Sequence, residues 1–176
     1  MLVGLVTCSY SQTPAEQAKY IEIARKAVVA AVQGSVFSPK GNGKPVPVFV
    51  TIERKGAVIG CRGSLKPRSA SLEQGIADAA RSAAQHDPRY RPLQSGDLKE
   101  FLVTVTLVQR LEPLRNVSGL TREDGLVLTQ GSKVGIVLPW EGKDPKVRLS
   151  WAYRKAGVLE GSDCKLERLV AVRFRG

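Results

Sequence analysis

The residues best placed to do chemistry in this chain are Gly60-Cys61-Arg62-Gly63, which we call the thiol segment. They follow an apolar run at residues 46–52 and a basic turn, Arg54-Lys55-Gly56. This pattern predicts a β-hairpin with the thiol near the end of its second strand. Glycines beside a cysteine let the backbone approach a ligand closely. The same residues also fit a buried cysteine beside a bulge or bend, because free cysteine is among the most buried residue types.

Positive charge is concentrated around this segment. The chain has 27 basic and 16 acidic residues, a net charge of +11, and residues 54–68 contain five bases and no acid. Such a field attracts anionic partners, and a small phosphate or carboxylate ligand fits it as well as RNA or DNA does. Aromatic residues do not alternate with the bases, although readers of single-stranded nucleic acid use such aromatics for stacking. The five bases are Arg54, Lys55, Arg62, Lys66 and Arg68.

A second candidate site is the turn that runs from His86 to Pro92, with the sequence His-Asp-Pro-Arg-Tyr-Arg-Pro. A proline disfavours helical geometry for the residue before it, so this stretch is predicted to end a helix in a rigid polar turn. The turn can aim Asp87 and Arg89 at a ligand. The alternative is a helix stop in which Asp87 and Arg89 form a structural pair.

The cysteine and histidine content limits the metal and redox chemistry that we expect. Cys8, Cys61 and Cys164 are far apart and odd in number, which argues against a disulfide framework and favours a reducing compartment. His86 is the only histidine, so there is no zinc-like spacing and no Ser-His-Asp order. The apolar start at residues 1–8 is too short for a signal peptide, and no run approaches a membrane span. We therefore expect a cytoplasmic protein with no metal, no cofactor and no membrane association.

Helix signals are clear at three places. Thr13-Pro14-Ala15-Glu16 forms a capping box, and a helix is predicted from there to Gly34. Ser71 with Gln74 begins a second helix, which carries a stripe of small residues, and Asp144-Pro145 begins a third that closes at Gly157. Strands are predicted at residues 46–53, 57–61, 101–108, 126–129, 134–138 and 169–174.

This mixture of hairpins and helices predicts an α+β fold with a mostly antiparallel sheet and packed helices. A chain of 176 residues is long enough to bury a substantial core. We expect an N-terminal extension at residues 1–12, followed by one domain at residues 13–176.

The order of these segments resembles the AMMECR-type domain family, also met as protein A of the AmmeMemoRadiSam system. The resemblance covers nearly the whole chain from the first helix onward. It is carried by Val48-Phe49-Val50-Thr51-Ile52, by the thiol segment, by Asp87-Pro88-Arg89-Tyr90-Arg91-Pro92, by Asp97-Leu98, by Gly135-Ile136-Val137-Leu138-Pro139 and by Lys155-Ala156-Gly157.

The resemblance implies a fold in two unequal lobes and a biochemical activity that is not established. It also implies a gene placed beside Memo-like and radical SAM proteins, which suggests a shared modification pathway and one of those proteins as a partner. We therefore expect an accessory or ligand-binding protein rather than an enzyme. The predicted ligand-binding residues are Gly60, Cys61, Arg62, Gly63, Asp87, Arg89 and Thr104.

The chain departs from the family pattern, in which the hairpin reads Leu-Arg-Gly-Cys-Ile-Gly. Ile59 stands where the family has arginine, Arg62 where it has isoleucine, Thr104 where it has glutamate, and Trp140 where it has glutamine. Side chains two apart on a strand share a face, so we expect Ile59 beside Cys61 and Arg62 on the opposite face. A guanidinium beside a cysteine lowers the thiol pKa, whereas an apolar neighbour raises it.

Two further functions stay open after this comparison with the family pattern. One is a cysteine-dependent transferase or redox enzyme that uses Cys61 as its nucleophile, although Ile59 gives that thiol no cation. The other is a nucleic-acid-binding protein that uses the basic hairpin.

Overall fold

The computed structural model describes residues 12–176, so Cys8 and all of the predicted N-terminal extension except Gln12 lie outside the described residues. It confirms the α+β class with an antiparallel sheet. The sheet has the strand order β2-β1-β3-β6-β4-β5. The elements are α1 (Pro14–Val32), β1 (Val48–Arg54), β2 (Ala57–Ser64), α2 (Leu72–Gln85), a 3-10 helix (Ser95–Leu98), β3 (Phe101–Leu114), β4 (Gly125–Gln130), β5 (Lys133–Val137), α3 (Pro145–Ala156) and β6 (Lys165–Arg175).

The chain divides into two compact units of unequal length. The first ends at Leu107 and takes in Arg173–Gly176, and the second is Val108–Val172. Strands β3 and β6 each contribute residues to both units. The first unit contains the β1–β2 hairpin with α1 and α2, and the second contains the β4–β5 hairpin with α3.

The helices of the first unit begin where their capping residues predict. At α1 the capping box is reciprocal, since the Thr13 hydroxyl accepts the Glu16 N–H at 3.3 Å and the Glu16 carboxylate accepts the Thr13 N–H at 2.8 Å. At α2 the Ser71 hydroxyl accepts the Gln74 N–H at 3.2 Å. The Gln74 side chain donates to Asp78 at 3.0 Å instead of returning to Ser71, so the predicted second box is only half formed.

A β-bulge interrupts the hairpin at Ile59. Cys61 lies opposite Thr51 and Gly60 opposite Ile52, but the register then shifts, so that Val58 lies opposite Glu53 and Ile59 has no partner on β1. A bulge inserts one extra residue into a strand and leaves it unpaired. That Ile59 shares a face with Cys61 stays a prediction.

Helix α2 packs on β1, β2 and α1 in the first unit. It comes so close to β2 that a Cβ on Gly60 would run into the backbone carbonyl of Ala83. The Gly75 site on the same helix is different, since a Cβ there would find nothing nearer than a Val48 methyl at 3.5 Å. Close packing of α2 on the sheet therefore requires the glycine at 60 and not the one at 75.

In the second unit, α3 packs against β4 and β5. Asp144 caps its start by accepting the N–H of Lys146 at 2.7 Å, and Gly157 ends it with a left-handed φ of 64°. Arg148 on α3 is fully buried and donates to the carbonyls of Thr121 and Asp124. The apolar core of this unit consists of Val117, Leu120, Leu126, Leu128, Val137, Ala152, Tyr153 and Ala156.

The two glycines of the α2 interface give a matched stability prediction. We expect Gly60→Ala to lower the free energy of unfolding by about 1–3 kcal/mol, because α2 must move away from the sheet. Gly75→Ala is expected to raise it by up to about 1 kcal/mol, since alanine is the better helix former and its methyl has room. Urea denaturation of both variants checks the pair. Equal effects of the two substitutions would contradict the packing described for Gly60.

Candidate functional site

The predicted polar turn and the thiol segment meet at the outer edge of β2. The Asp87 carboxylate accepts the backbone N–H of Cys61 at 2.8 Å, and the Arg89 guanidinium donates to the Cys61 carbonyl at 3.0 Å. Arg89 also donates to both oxygens of Asp87, at 3.0 and 2.8 Å. We call this arrangement the Asp-Arg clamp. It satisfies the outward N–H and C=O of Cys61 on a strand that has no neighbour on that side among residues 12–176.

Charge and burial determine what this clamp can do. Burial alone would raise the pKa of Asp87, which is 5% exposed, but hydrogen bonds from Arg89 and from the Cys61 N–H outweigh it and hold the pKa below its ordinary value. The hydrogen bond with Asp87 raises the pKa of Arg89. Both groups are therefore charged at neutral pH, and they form an ion pair rather than an acid-base pair.

Three polar side chains lie in a row across β2, β1 and β3. Cys61 is in register with Thr51, and Thr51 with Thr104. The Thr51 hydroxyl donates to the sulfur of Cys61 at 3.2 Å, and Cys61 is half-buried. Thr104 is 1% exposed, and its hydroxyl has no hydrogen-bond partner within residues 12–176. Strand register thus brings Cys61 and Thr104 together through Thr51.

The remaining residues of the thiol segment have different surroundings. Arg62 lies opposite Val50 and donates from Nε to the Ser82 hydroxyl of α2 at 3.4 Å, so it points away from the Cys61 face as predicted. Gly60 packs against the backbone carbonyl of Ala83 in α2. Gly63 lies opposite Phe49, whose ring occupies the space of a Cβ at that position. The segment therefore presents two distinct chemical surfaces, one on each face of the hairpin.

A second ion pair fixes the end of the same turn. The Asp97 carboxylate accepts from both terminal nitrogens of Arg91, at 2.8 and 3.0 Å, and from the Gln94 N–H at 2.9 Å. The hydrogen bonds from the Arg91 side chain lower the pKa of Asp97, and the hydrogen bond from the Gln94 backbone lowers it further. This pair does not touch Cys61. It provides a structural counterpart to the Asp-Arg clamp within the same loop.

The departure at Trp140 lies in the second unit. Trp140 is 42% exposed, and the Arg122 guanidinium lies 4.4 Å from the centre of its ring. Next to it, Glu141 accepts the Leu138 N–H at 2.7 Å and binds the Lys155 ammonium at 2.6 Å. The Leu-Pro-Trp and Lys-Ala-Gly motifs of this unit therefore hold a loop against α3.

The comparison with known families agrees with this fold and these motifs. The family model AMMECR1 matches residues 13–176. The chain belongs to the AMMECR1 family. This confirms the resemblance seen in the sequence.

Relatives of this chain are found in bacteria and archaea. A Thermotoga maritima protein is 33% identical over 132 residues, which cover 72% of this chain and 76% of that protein. An Aeropyrum pernix protein is 34% identical over 173 residues, which cover 88% of this chain and 74% of that protein. The crystal structure of an uncharacterized protein from Pyrococcus horikoshii covers 89% of both chains at a TM-score of 0.76 and 23% identity, and it shows the same fold. None of these names states an activity, so membership of the AMMECR1 family does not by itself assign one.

Within residues 12–176, no group of three His, Cys, Asp or Glu side chains could hold a metal ion. None of the helices in those residues is both long and apolar enough to cross a membrane.

The Asp-Arg clamp predicts a specific pH dependence of stability. At pH 7, Asp87→Asn is expected to lower the free energy of unfolding by about 1–3 kcal/mol, because charged hydrogen bonds to Arg89 and Cys61 are weakened. The folded-state pKa of Asp87 is depressed, so its stabilisation is present above the unfolded value of about 3.9 and is lost as the pH falls through the folded value. The difference between the two proteins should therefore shrink below about pH 4.

Urea denaturation at several pH values checks this prediction. Asp163→Asn is the control, since Asp163 is exposed and has no ion pair with a described residue, and it should change stability by less than about 0.5 kcal/mol. A difference between wild type and Asp87→Asn that is constant from pH 7 to pH 3 would count against the clamp.

Proposed function

We propose that this chain is an accessory binding protein of a modification pathway. In this proposal the Cys61 face of the thiol segment and the turn of Asp87 and Arg89 form one recognition surface for a Memo-like or radical SAM protein. The observation that carries the proposal is the Asp-Arg clamp, which holds both backbone groups of Cys61 from outside the sheet. A surface fixed before binding loses little conformational entropy when the partner arrives.

The chemistry of the site favours binding over acid-base catalysis. Asp87 accepts four hydrogen bonds and has a lowered pKa, which makes it a weak base. The row of Cys61, Thr51 and Thr104 contains no carboxylate or imidazole, and His86 lies outside the row, where it follows the end of α2. These groups can position a partner through hydrogen bonds and charge.

The electrostatics of the turn indicate what kind of partner surface would fit. The Arg89 side chain is 45% exposed, although it also pairs with the buried Asp87. Its outward face adds to the net positive charge of the chain. We therefore expect an acidic contact surface on the partner, which would also accelerate association.

Titration calorimetry with purified Memo-like and radical SAM proteins from the same organism tests this function. We expect wild type to bind one of them and Arg89→Ala to weaken binding by about tenfold or more, because the clamp is broken. Cys61→Ser should retain affinity within about twofold, since the clamp holds the backbone of Cys61 and not its sulfur.

Arg91→Ala is the matched control, because it breaks an equivalent ion pair in the same turn without touching Cys61. Urea denaturation establishes that each variant is folded at the temperature of the binding measurement. The proposal is wrong if wild type binds neither protein. It is also wrong if Arg91→Ala weakens binding as much as Arg89→Ala.

A second function, a cysteine-dependent transferase or redox enzyme, is favoured by one observation. The hydroxyl of Thr51 donates to the Cys61 sulfur, and the Arg89 guanidinium is bound to the Cys61 carbonyl. A thiolate at Cys61 would thus have a hydrogen-bond donor and a nearby cation. The cation that the family supplies two residues before the cysteine comes here from a different segment of the chain.

This second function predicts that Cys61 reacts rapidly with iodoacetamide at pH 7. The thiolate displaces iodide, and peptide mass spectrometry follows the rate at Cys61, with the half-buried Cys164 as internal reference. We expect Thr51→Val and Arg89→Gln each to slow the reaction, because each removes a group that stabilises the thiolate. Alkylation of Cys61 no faster in the folded chain than in the urea-unfolded chain would exclude an activated thiol.

A further inference from the structure

A cleft of about 210 Å³ opens in the first unit between α2 and the end of β2. It lies on the α2 side of the hairpin, because Arg62 contributes to its wall and hydrogen bonds to Ser82 of that helix. We call it the basic cleft. It uses the face of the thiol segment opposite Cys61 and is therefore separate from the surface proposed above.

Three cations line the basic cleft without a carboxylate to neutralise them. Arg62, Lys66 and Arg68 form no salt bridge with any carboxylate in residues 12–176. Toward residues 12–176, the guanidinium of Arg62 uses only Nε, in a 3.4 Å hydrogen bond to Ser82. Its two terminal nitrogens are left to donate to a ligand.

Asp78 is the one acid among the described residues that line the cleft, and its carboxylate already accepts three hydrogen bonds. Its carboxylate accepts from the Ser69 hydroxyl at 2.8 Å, from the Gln74 amide at 3.0 Å and from Arg81 at 3.4 Å. Arg81 offsets part of the charge of Asp78, and three cations against one carboxylate leave the cleft with a net positive charge. The hydrogen bond to Asp78 also holds Ser69 in place at the wall of the cleft.

Serine hydroxyls and a small apolar area complete the lining. Ser64, Ser71 and Ser82 contribute hydroxyls, and Val46 and Val48 contribute apolar surface. Gly75 forms part of the wall, yet packing against the sheet does not require a glycine there, because a Cβ would meet nothing closer than 3.5 Å. Because Gly75 has no side chain, the cleft is wider at this position.

We propose that the basic cleft binds the phosphate group of a small phosphorylated molecule. Guanidinium groups form paired, charge-assisted hydrogen bonds to phosphate oxygens, and serine hydroxyls can supply further donors. The cleft is smaller than the roughly 300–1,000 Å³ of common ligand sites. The carbon skeleton of the ligand, which would contact Val46 and Val48, must therefore be short. None of the described residues that line the cleft is an aromatic that could stack on a base, which argues against single-stranded nucleic acid.

The probe for this proposal is O-phospho-L-serine, titrated into the ¹⁵N-labelled full chain at constant ionic strength. We expect saturable shifts of the Gly63 and Gly75 amide signals. The double variant Arg62→Gln, Arg68→Gln should weaken binding by about tenfold or more, because two charged donors are lost. The matched control is Lys55→Gln, Lys99→Gln, which removes the same charge from exposed sites outside the cleft and should change binding by less than about twofold.

Four results would overturn the proposal. The first is no saturable shift of the two amide signals with the wild-type chain, and the second is equal weakening in the two double variants, which means general screening. The third is L-glutamate binding as tightly as the phosphorylated probe, since it replaces phosphate with a carboxylate. The fourth is a short RNA that shifts the same amides more tightly and with a steep salt dependence. None of these depends on the partner protein, so the proposed function can fail or stand independently.

Discussion

The hydrogen bonds of Asp87 and Arg89 to the backbone of Cys61 connect the loop and the strand on which the candidate site depends. A buried carboxylate is costly unless it is paired and hydrogen-bonded, and here Arg89 and the Cys61 N–H supply those bonds. The pair connects the loop after α2 to the strand on which α2 rests. Because strand and loop are joined, the Cys61 row on one face and the basic cleft on the other face keep fixed positions relative to the helix.

Local signals explain which parts of the fold could be predicted from the sequence. The starts of α1 and α3 and the end of α3 depend on Thr13, Asp144 and Gly157, whose effects extend only a few residues. Strand lengths were predicted less well, since β3 continues to Leu114 and β6 begins at Lys165, beyond the alternating runs. The bulge at Ile59 depends on register with β1, which no local pattern reveals.

The site was predictable as separate segments and not as an arrangement. Residue types and spacing drew attention to Cys61, Asp87 and Arg89, but their contact depends on how the chain returns after α2. Thr104 was included only through the family resemblance, and Thr51, which links it to Cys61, was missed. The basic cleft was missed as well, because its walls come from segments that lie apart in the sequence and meet only when α2 packs.

The place of β2 at the edge of the sheet has a consequence for self-association. An exposed edge offers unpaired N–H and C=O groups to which another copy of the chain can add as a further strand. At Cys61 these groups are already occupied by a carboxylate and a guanidinium. A strand added at this edge could not form its ladder hydrogen bonds at Cys61, so the turn after α2 makes the edge a poorer template for strand addition.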